Sequence, residues 1–225
     1  MDQRWADYRV FWQQFRSAYH TTGAVLPSGK ALAAALAHFV RNGEAASAAG
    51  GTSAAPLRRI LEVGPGTGAV TGRILRDMGP GDHLVLVERN EQFVARLRER
   101  LADDSQFSGL AGRVTIVHAS VEDLPEDQPF QAIISGLPLN NFSADTVQRI
   151  LDKTRRLLAP GGTLSFFEYI AIRRFKAALS SRTDRERVRG VARVLDQVLQ
   201  QNEIRRDAVW ANVPPAWVHH VRFGE

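Results

Sequence analysis

The run Ile60-Leu61-Glu62-Val63-Gly64-Pro65-Gly66-Thr67-Gly68 constrains the fold more than any other part of the chain. An apolar strand ends beside a carboxylate and passes straight into Gly-x-Gly-x-Gly. Glycines here permit positive φ and a close approach of backbone to a bound group. The helix that follows points its amide dipoles at the same place. In a dinucleotide fold the usual spacing is Gly-x-Gly-x-x-Gly, and the loop cradles a pyrophosphate. Here the third glycine comes one residue early and Glu62 precedes the loop, which suits a cationic ammonium group better. Strands and helices then alternate. Strands read at 57–63, 84–88, 114–117, 132–135 and 163–170, and helices at 69–78, 92–101, 144–158 and 185–201. Two late strands read near 209–212 and 217–223. Such alternation predicts an α/β protein whose parallel sheet is covered on both faces, with the late strands as an antiparallel end. Ahead of it, residues 1–42 read as N-terminal helices, 43–56 as a flexible small-residue linker, and 57–225 as the main domain.

Three further features fall in the same order along the chain. Glu88 closes the strand Leu84-Val85-Leu86-Val87-Glu88, where a carboxylate can accept both hydroxyls of a ribose. Ser120 and Val121 follow the third strand. Pro160-Gly161-Gly162 forms a turn before the fifth. With the glycine loop, these features resemble the class I S-adenosylmethionine methyltransferases over about residues 57–170. The resemblance implies a Rossmann-like, seven-stranded, mostly parallel sheet with helices on both faces. It implies S-adenosyl-L-methionine as cofactor, held by Glu62, Gly64, Pro65, Gly66, Thr67, Gly68, Glu88, Ser120, Val121 and Ser135. Relatives often carry Asp where this chain has Ser120.

The loop after strand four bears on the acceptor. Enzymes that methylate adenine in nucleic acid usually carry Asn/Asp-Pro-Pro-aromatic there, or Asn-Leu-Pro-aromatic in the ribosomal RNA dimethylases, and the aromatic stacks on a flipped base. This chain has Ser135-Gly136-Leu137-Pro138-Leu139-Asn140-Asn141-Phe142, with Leu139 at the aromatic position. The loop resembles that of the bacterial phospholipid and ornithine lipid N-methyltransferases. Thr22-Gly23-Ala24-Val25-Leu26-Pro27-Ser28 and Asn212-Val213-Pro214-Pro215-Ala216 are similar to further segments of that family. The resemblance implies methylation, in successive rounds, of the primary amine of an aminolipid, either ornithine lipid or phosphatidylethanolamine. An RNA adenine-N6 dimethyltransferase is the first rival, favoured by the net charge of +5 and opposed by Leu139. A non-catalytic cofactor-binding membrane partner is the second, opposed by the intact loops.

Charge and amphipathicity point to a lipid surface. Between Arg173 and Arg206 there are ten Lys/Arg against four Asp/Glu, so the whole positive excess lies in one segment. Such a stripe suits anionic polymers or anionic lipid head groups. The expectation is that the arginines at 173, 174, 182, 185, 187 and 189, with Lys176, contact lipid. Trp5, Tyr8, Trp12, Phe15 and Tyr19 recur at helical spacing and make one aromatic stripe. Trp and Tyr favour the lipid–water interface. No stretch reaches the roughly 18–20 apolar residues that cross a bilayer, and the N-terminus has no apolar signal-peptide core. The expected location is therefore the cytoplasm, peripherally on the inner face of the cell membrane. The expected partner is an aminolipid in an anionic surface, with no nucleic acid and no protein partner identifiable.

Methyl transfer to an amine needs alignment, desolvation and loss of a proton. Ser135, Gly136 and Leu137 can orient the amine. Tyr19 and Glu168 are candidate catalytic residues, with Tyr169, His219 and His220 as further candidates for a base. His219 and His220 are strand neighbours and so point to opposite faces rather than forming a metal pair. Six scattered histidines and no cysteine give no metal-ligand pattern, so no metal is expected.

Overall fold

A computed structural model describes residues 27–41, 57–103, 108–170, 182–212 and 214–224. The aromatic stripe of residues 1–20, the linker of 43–56, Tyr19, Arg173, Arg174 and Lys176 lie outside the described residues. So do most of the segment 22–28 and the side chain of Arg182.

Seven strands form one sheet: β1 (Arg59–Val63), β2 (His83–Glu88), β3 (Val114–His118), β4 (Phe130–Ser135), β5 (Leu158–Tyr169), β6 (Glu203–Val209) and β7 (Ala216–Val221). Their order is β3-β2-β1-β4-β5-β7-β6. The first five neighbours pair parallel, and β7 runs antiparallel to both β5 and β6. This is the seven-stranded, mostly parallel sheet that the resemblance implied. The helices are α1 (Pro27–Leu36), α2 (His38–Arg41), α3 (Thr71–Asp77), α4 (Glu91–Asp103), α5 (Ala144–Leu157) and α6 (Arg182–Asn202).

Alternate residues of each strand feed two cores. Ile60, Leu84, Leu86 and Ile134 join Leu36, Val40, Ile74 and Leu97, so helices α1 to α4 cover one face. Leu61, Val63, Ile133 and Phe166 join Val147, Ile150, Val191 and Leu195, so α5 and α6 cover the other. Strands buried on both sides read as nearly continuous apolar runs, which is why β1, β2 and β4 were legible. Helix α5 starts cleanly because Ser143 accepts the Thr146 amide at 3.2 Å. Arg155 and Arg156 lie in its last turn, where cations complement the helix dipole.

Two sequence expectations are corrected. The Pro160-Gly161-Gly162 turn is absorbed into β5, which runs unbroken from Leu158. Phe130 pairs with Leu158 but Ala132 pairs with Thr163, so the extra residues bulge out of the ladder, with Gly161 at φ 72°. The first late strand is Glu203–Val209, not 209–212; Trp210 to Asn212 belong to the turn that follows. β6 is an edge strand whose residues 204–206 are exposed, so it shows no apolar alternation to read.

Strand order reverses between β1 and β4, and in open α/β sheets ligands bind beyond the carboxyl ends at such a point. The opposite end is closed by an ion pair. Arg58 Nε donates to Asp82 Oδ1 at 3.0 Å, and the Gly79 amide donates to Asp82 Oδ2 at 2.8 Å. Asp82 is buried. Removing one partner of a buried pair strands the other. Asp82→Ala is expected to cost about 2–4 kcal/mol in denaturant unfolding. Because Asp82 lies at the amino end of β2, cofactor affinity should stay at the wild-type value.

Candidate cofactor site

The carboxyl ends of β1, β2, β3 and β4 are laced together by backbone. Gly64 N–H donates to Val87 O at 2.9 Å, Gly136 N–H to Val63 O at 2.8 Å, and Ala119 N–H to Glu88 O at 3.1 Å. Each strand thus extends its ladder into the next loop. The glycines are needed for two separate reasons. Gly64, Gly66 and Gly68 have φ of 67°, 56° and 81°, a region other residues rarely enter. A Cβ on Gly136 would come within 2.7 Å of Gly64 O, so only glycine lets the two loops touch. Above Gly66 a Cβ would meet nothing within 4 Å, so the loop opens onto free space there.

Two buried carboxylates underlie this loop. Glu88 Oε2 accepts the Gly66 amide at 3.1 Å and Oε1 accepts the Asn90 amide at 2.8 Å. Burial pushes its pKa up, and the backbone donors of Asn90, Gly66 and Arg89 oppose that shift. Glu62 is fully buried. Its Oε2 accepts the Thr71 hydroxyl at 2.7 Å, and its Oε1 has no hydrogen-bond partner among the described residues. Burial raises its pKa to about 8; the Thr71 hydroxyl pulls the other way, Glu88 adds to the rise and Arg100 opposes it. An orphaned buried oxygen under a glycine loop calls for a donor.

The remaining expected residues fall around these two. Pro65 and Gly68 are buried in the loop and Thr67 is half-buried. Ser120 is spent on local structure: its Oγ caps the short turn Val121–Asp123 by accepting the Glu122 amide at 3.4 Å. The Val121 side chain is buried in the core, and its carbonyl accepts the Leu124 amide at 3.3 Å. Ser135 is buried at the end of β4, and its Oγ accepts the Leu137 amide at 3.3 Å. Leu139 and Phe142 are both buried, so neither is presented as a stacking surface. Glu168 and Tyr169 end β5, two strands from the glycine loop and next to β4; burial raises the Tyr169 pKa.

Two residues that shape the site escape a sequence reading, and a third takes a different role from the expected one. Arg100, from α4, donates to Thr67 O and Gly68 O, both at 3.0 Å, and clamps the loop. Asn90 caps α4 by accepting the Gln92 amide at 2.9 Å while donating its own amide to Glu88; an Asn just before a helix was the available signal. Arg187 corrects an expectation. It does not reach outward for lipid but donates to Asn140 O at 2.8 Å and Phe142 O at 3.2 Å, fastening α6 to the loop after β4. Arg185 and Arg189 are exposed.

A cavity of about 740 Å³ lies at the other end of the sheet, lined by Arg58, Arg59, His83, Arg113 and Phe130 among others. Its arginines are engaged internally. Arg58 pairs with Asp82, Arg113 donates to Gly79 O, and Arg59 lies over the Phe130 ring at 4.7 Å. The chemistry therefore centres on the glycine loop, not on this cavity.

Comparison with known proteins agrees with the geometry. Residues 60–162 match a family model described as "Methyltransferase domain". A ubiquinone/menaquinone biosynthesis C-methyltransferase, UbiE, from Vibrio cholerae is 34% identical over 119 residues, covering 52% of this chain and 44% of the relative. An ornithine lipid N-methyltransferase from Singulisphaera acidiphila is 29% identical over 108 residues, covering 48% of this chain and 56% of the relative. The chain thus spans about half the length of these curated relatives. Among solved structures, the N-methyltransferase NodS from Bradyrhizobium japonicum WM9, in complex with S-adenosyl-L-homocysteine, aligns with a TM-score of 0.60 at 15% identity, over 89% of this chain and 90% of that one. The fold is that of the class I, Rossmann-like methyltransferases, and S-adenosyl-L-methionine is the cofactor this domain is built to take.

The residues present fit that cofactor. The orphaned Glu62 oxygen matches an ammonium group, Glu88 sets a carboxylate directly behind the loop, and the space above Gly66 leaves room for a ligand.

Two outcomes follow from this geometry. Glu62 ionises near 8 in the folded protein against 4.5 in the unfolded chain, so its contribution to stability is fully present below 4.5 and is lost as pH rises through 8. Glu62→Gln keeps the neutral form at every pH. In thermal melts of the cofactor-free protein it should raise Tm clearly at pH 9, with the gain vanishing near pH 4.5; an unchanged or lower Tm at pH 9 contradicts this reading. Arg187→Ala removes the clamp on Asn140 and Phe142. Amide hydrogen exchange should then speed up across residues 139–143 and stay unchanged across residues 64–68.

Proposed function

We propose that this chain is an S-adenosylmethionine-dependent N-methyltransferase acting on the primary amine of a membrane aminolipid, ornithine lipid or phosphatidylethanolamine, in successive rounds. The observation that carries the proposal is the loop after β4. Leu139 stands where nucleic-acid adenine methylases place a stacking aromatic, and both Leu139 and Phe142 are buried in the core. The similarity to an ornithine lipid N-methyltransferase supports the same reading. No helix among the described residues is long and apolar enough to cross a membrane. The encounter with lipid is proposed as a peripheral one, on the inner face of the cell membrane.

Bound, S-adenosylmethionine supplies an electrophilic methyl group on a sulfonium. In this reading Glu62 holds the ammonium end of the cofactor, Glu88 the ribose hydroxyls, and the loop from Gly64 to Gly68 approaches through its backbone. Ser120 and Val121 border the adenine through main-chain groups. Ser135, Gly136 and Leu137, held by the Gly136–Val63 hydrogen bond, form the rim on which the amine is oriented. The exposed Arg185 and Arg189 face anionic head groups.

The similarity to UbiE favours a second reading, a carbon rather than a nitrogen acceptor in quinone biosynthesis. One assay separates the readings. Purified protein with methyl-labelled cofactor is offered vesicles of phosphatidylethanolamine, vesicles of ornithine lipid, a quinone-precursor extract, and RNA. Label in an aminolipid is expected. Label confined to the quinone fraction supports the second reading, and label confined to RNA supports an adenine dimethyltransferase. Cofactor binding with no label anywhere points to a non-catalytic partner.

A further inference from the structure

The two neighbouring histidines of β7 lead to different kinds of network. His220 faces the α1–α4 side. Its Nδ1 bonds to Ser165 Oγ at 2.8 Å and its Nε2 to Asp207 at 3.2 Å. Both nitrogens are satisfied, the ring is fully buried, and burial lowers its pKa to about 4. That chain is closed and structural.

His219 faces the α5–α6 side and is not satisfied. Its ring stacks on Phe166 with centroids 5.4 Å apart. Its Nδ1 lies 2.6 Å from Glu203 Oε1. Its Nε2 is buried with no hydrogen-bond partner among the described residues and lies 3.7 Å from Glu168 Oε2. The imidazole thus lies between two carboxylates, with Nδ1 hydrogen-bonded to Glu203 and Nε2 turned toward Glu168. A proton received at Glu168 has a neighbouring ring nitrogen to which it can pass.

Its place in the sheet matters. Glu168 is the penultimate residue of β5, beside β4. The pairing of Ile134 with Ser165 puts Ser135 and Glu168 on the same face, with Glu168 the farther toward the carboxyl end. From strand spacing alone their Cα atoms are about 8 Å apart. The turn Leu139–Asn141 packs against β5 on this side. At the far end Glu203 is partly open to solvent, its side chain 25% exposed, against 6% and 4% for Glu168 and His219. Other groups around the imidazole are Arg206 of β6, in register with His219 and lying over Trp217, and Val191 and Leu195 of α6.

We propose that Glu168, His219 and Glu203 take up the proton that the amine must lose, a role that rests on the aminolipid reading above. An ammonium N–H proton passes to the Glu168 carboxylate. The freed nitrogen lone pair forms the N–CH3 bond as the sulfonium S–CH3 bond breaks, and its electron pair stays on sulfur. Glu168 passes the proton to His219 Nε2, and the imidazolium is held between two carboxylates until the proton returns to solvent between turnovers. Glu168 is the catalytic residue; His219 and Glu203 position and recharge it.

The test combines kinetics on aminolipid vesicles with 15N spectra of the histidines in the cofactor-free protein. Glu168→Gln should lower kcat about 100-fold at pH 7. His219→Gln and Glu203→Gln should lower it about tenfold with an unchanged KM for cofactor, and both losses should shrink as pH rises toward that of the free amine, near 10. The His219 signals should move in Glu168→Gln and in Glu203→Gln, whereas Asp207→Asn should move those of His220. Losses equal at every pH, wild-type kcat in His219→Gln, or His219 signals indifferent to Glu168→Gln overturn the proposal. If His219→Gln fails to fold, the surface-reaching Glu203→Gln decides. Wild-type protein inert on aminolipid overturns the substrate reading, while the spectra still decide whether the three groups share a proton.

Discussion

The carboxylate of Glu88 ties the glycine loop to the head of helix α4. One oxygen holds the Gly66 amide and the other the Asn90 amide. Below it Glu62 braces α3 through Thr71, and Arg100 closes the ring from above by gripping Thr67 and Gly68. Burial makes both carboxylates resist ionisation, and Glu88 adds to the rise at Glu62. A cationic group beside Glu62 would favour its ionised form.

That arrangement was legible in part. The strand running into Gly64-Pro65-Gly66-Thr67-Gly68, with Glu62 before it and Glu88 one strand later, announced both the sheet and the cofactor end, because buried parallel strands and positive-φ glycines leave plain marks. Leu139 marked the loop after β4 by what it is not. Arg100, Asn90 and Arg187 were less legible. Arg100 and Arg187 act on main-chain oxygens distant in sequence, and a basic helix face looks the same whether its arginines meet solvent, lipid or a neighbouring loop. β6 was misplaced because an edge strand carrying Arg205, Arg206 and Asp207 has no apolar period. The bulge at Gly161 was read as a turn because glycine and proline mark both.

The other half of the site depends on which face of the sheet a residue occupies. A period of two along β5 and β7 separates Ser165 and His220 from Phe166, Glu168 and His219. One histidine completes a hydrogen-bond chain and the other keeps a ring nitrogen without a hydrogen-bond partner among the described residues, beside Glu168. Arg187 adds the remaining link by fastening α6, which covers this face, to the loop after β4. The glycine loop, the loop after β4 and Glu168 thus lie at the carboxyl ends of the neighbouring strands β1, β4 and β5.

The number of protons released when the cofactor binds tests the central claim most directly. Calorimetric titration with S-adenosyl-L-homocysteine, in buffers of different ionisation enthalpy, reads it without any methyl acceptor. Glu62, with a pKa of about 8 in the cofactor-free protein, is mostly protonated at pH 7 and must ionise to meet an ammonium group. About one proton should therefore leave at pH 7, fewer as pH rises past 8, and none from Glu62→Gln. Binding that releases no proton at pH 7, or an equal release from Glu62→Gln, contradicts the assignment of Glu62 to the cofactor.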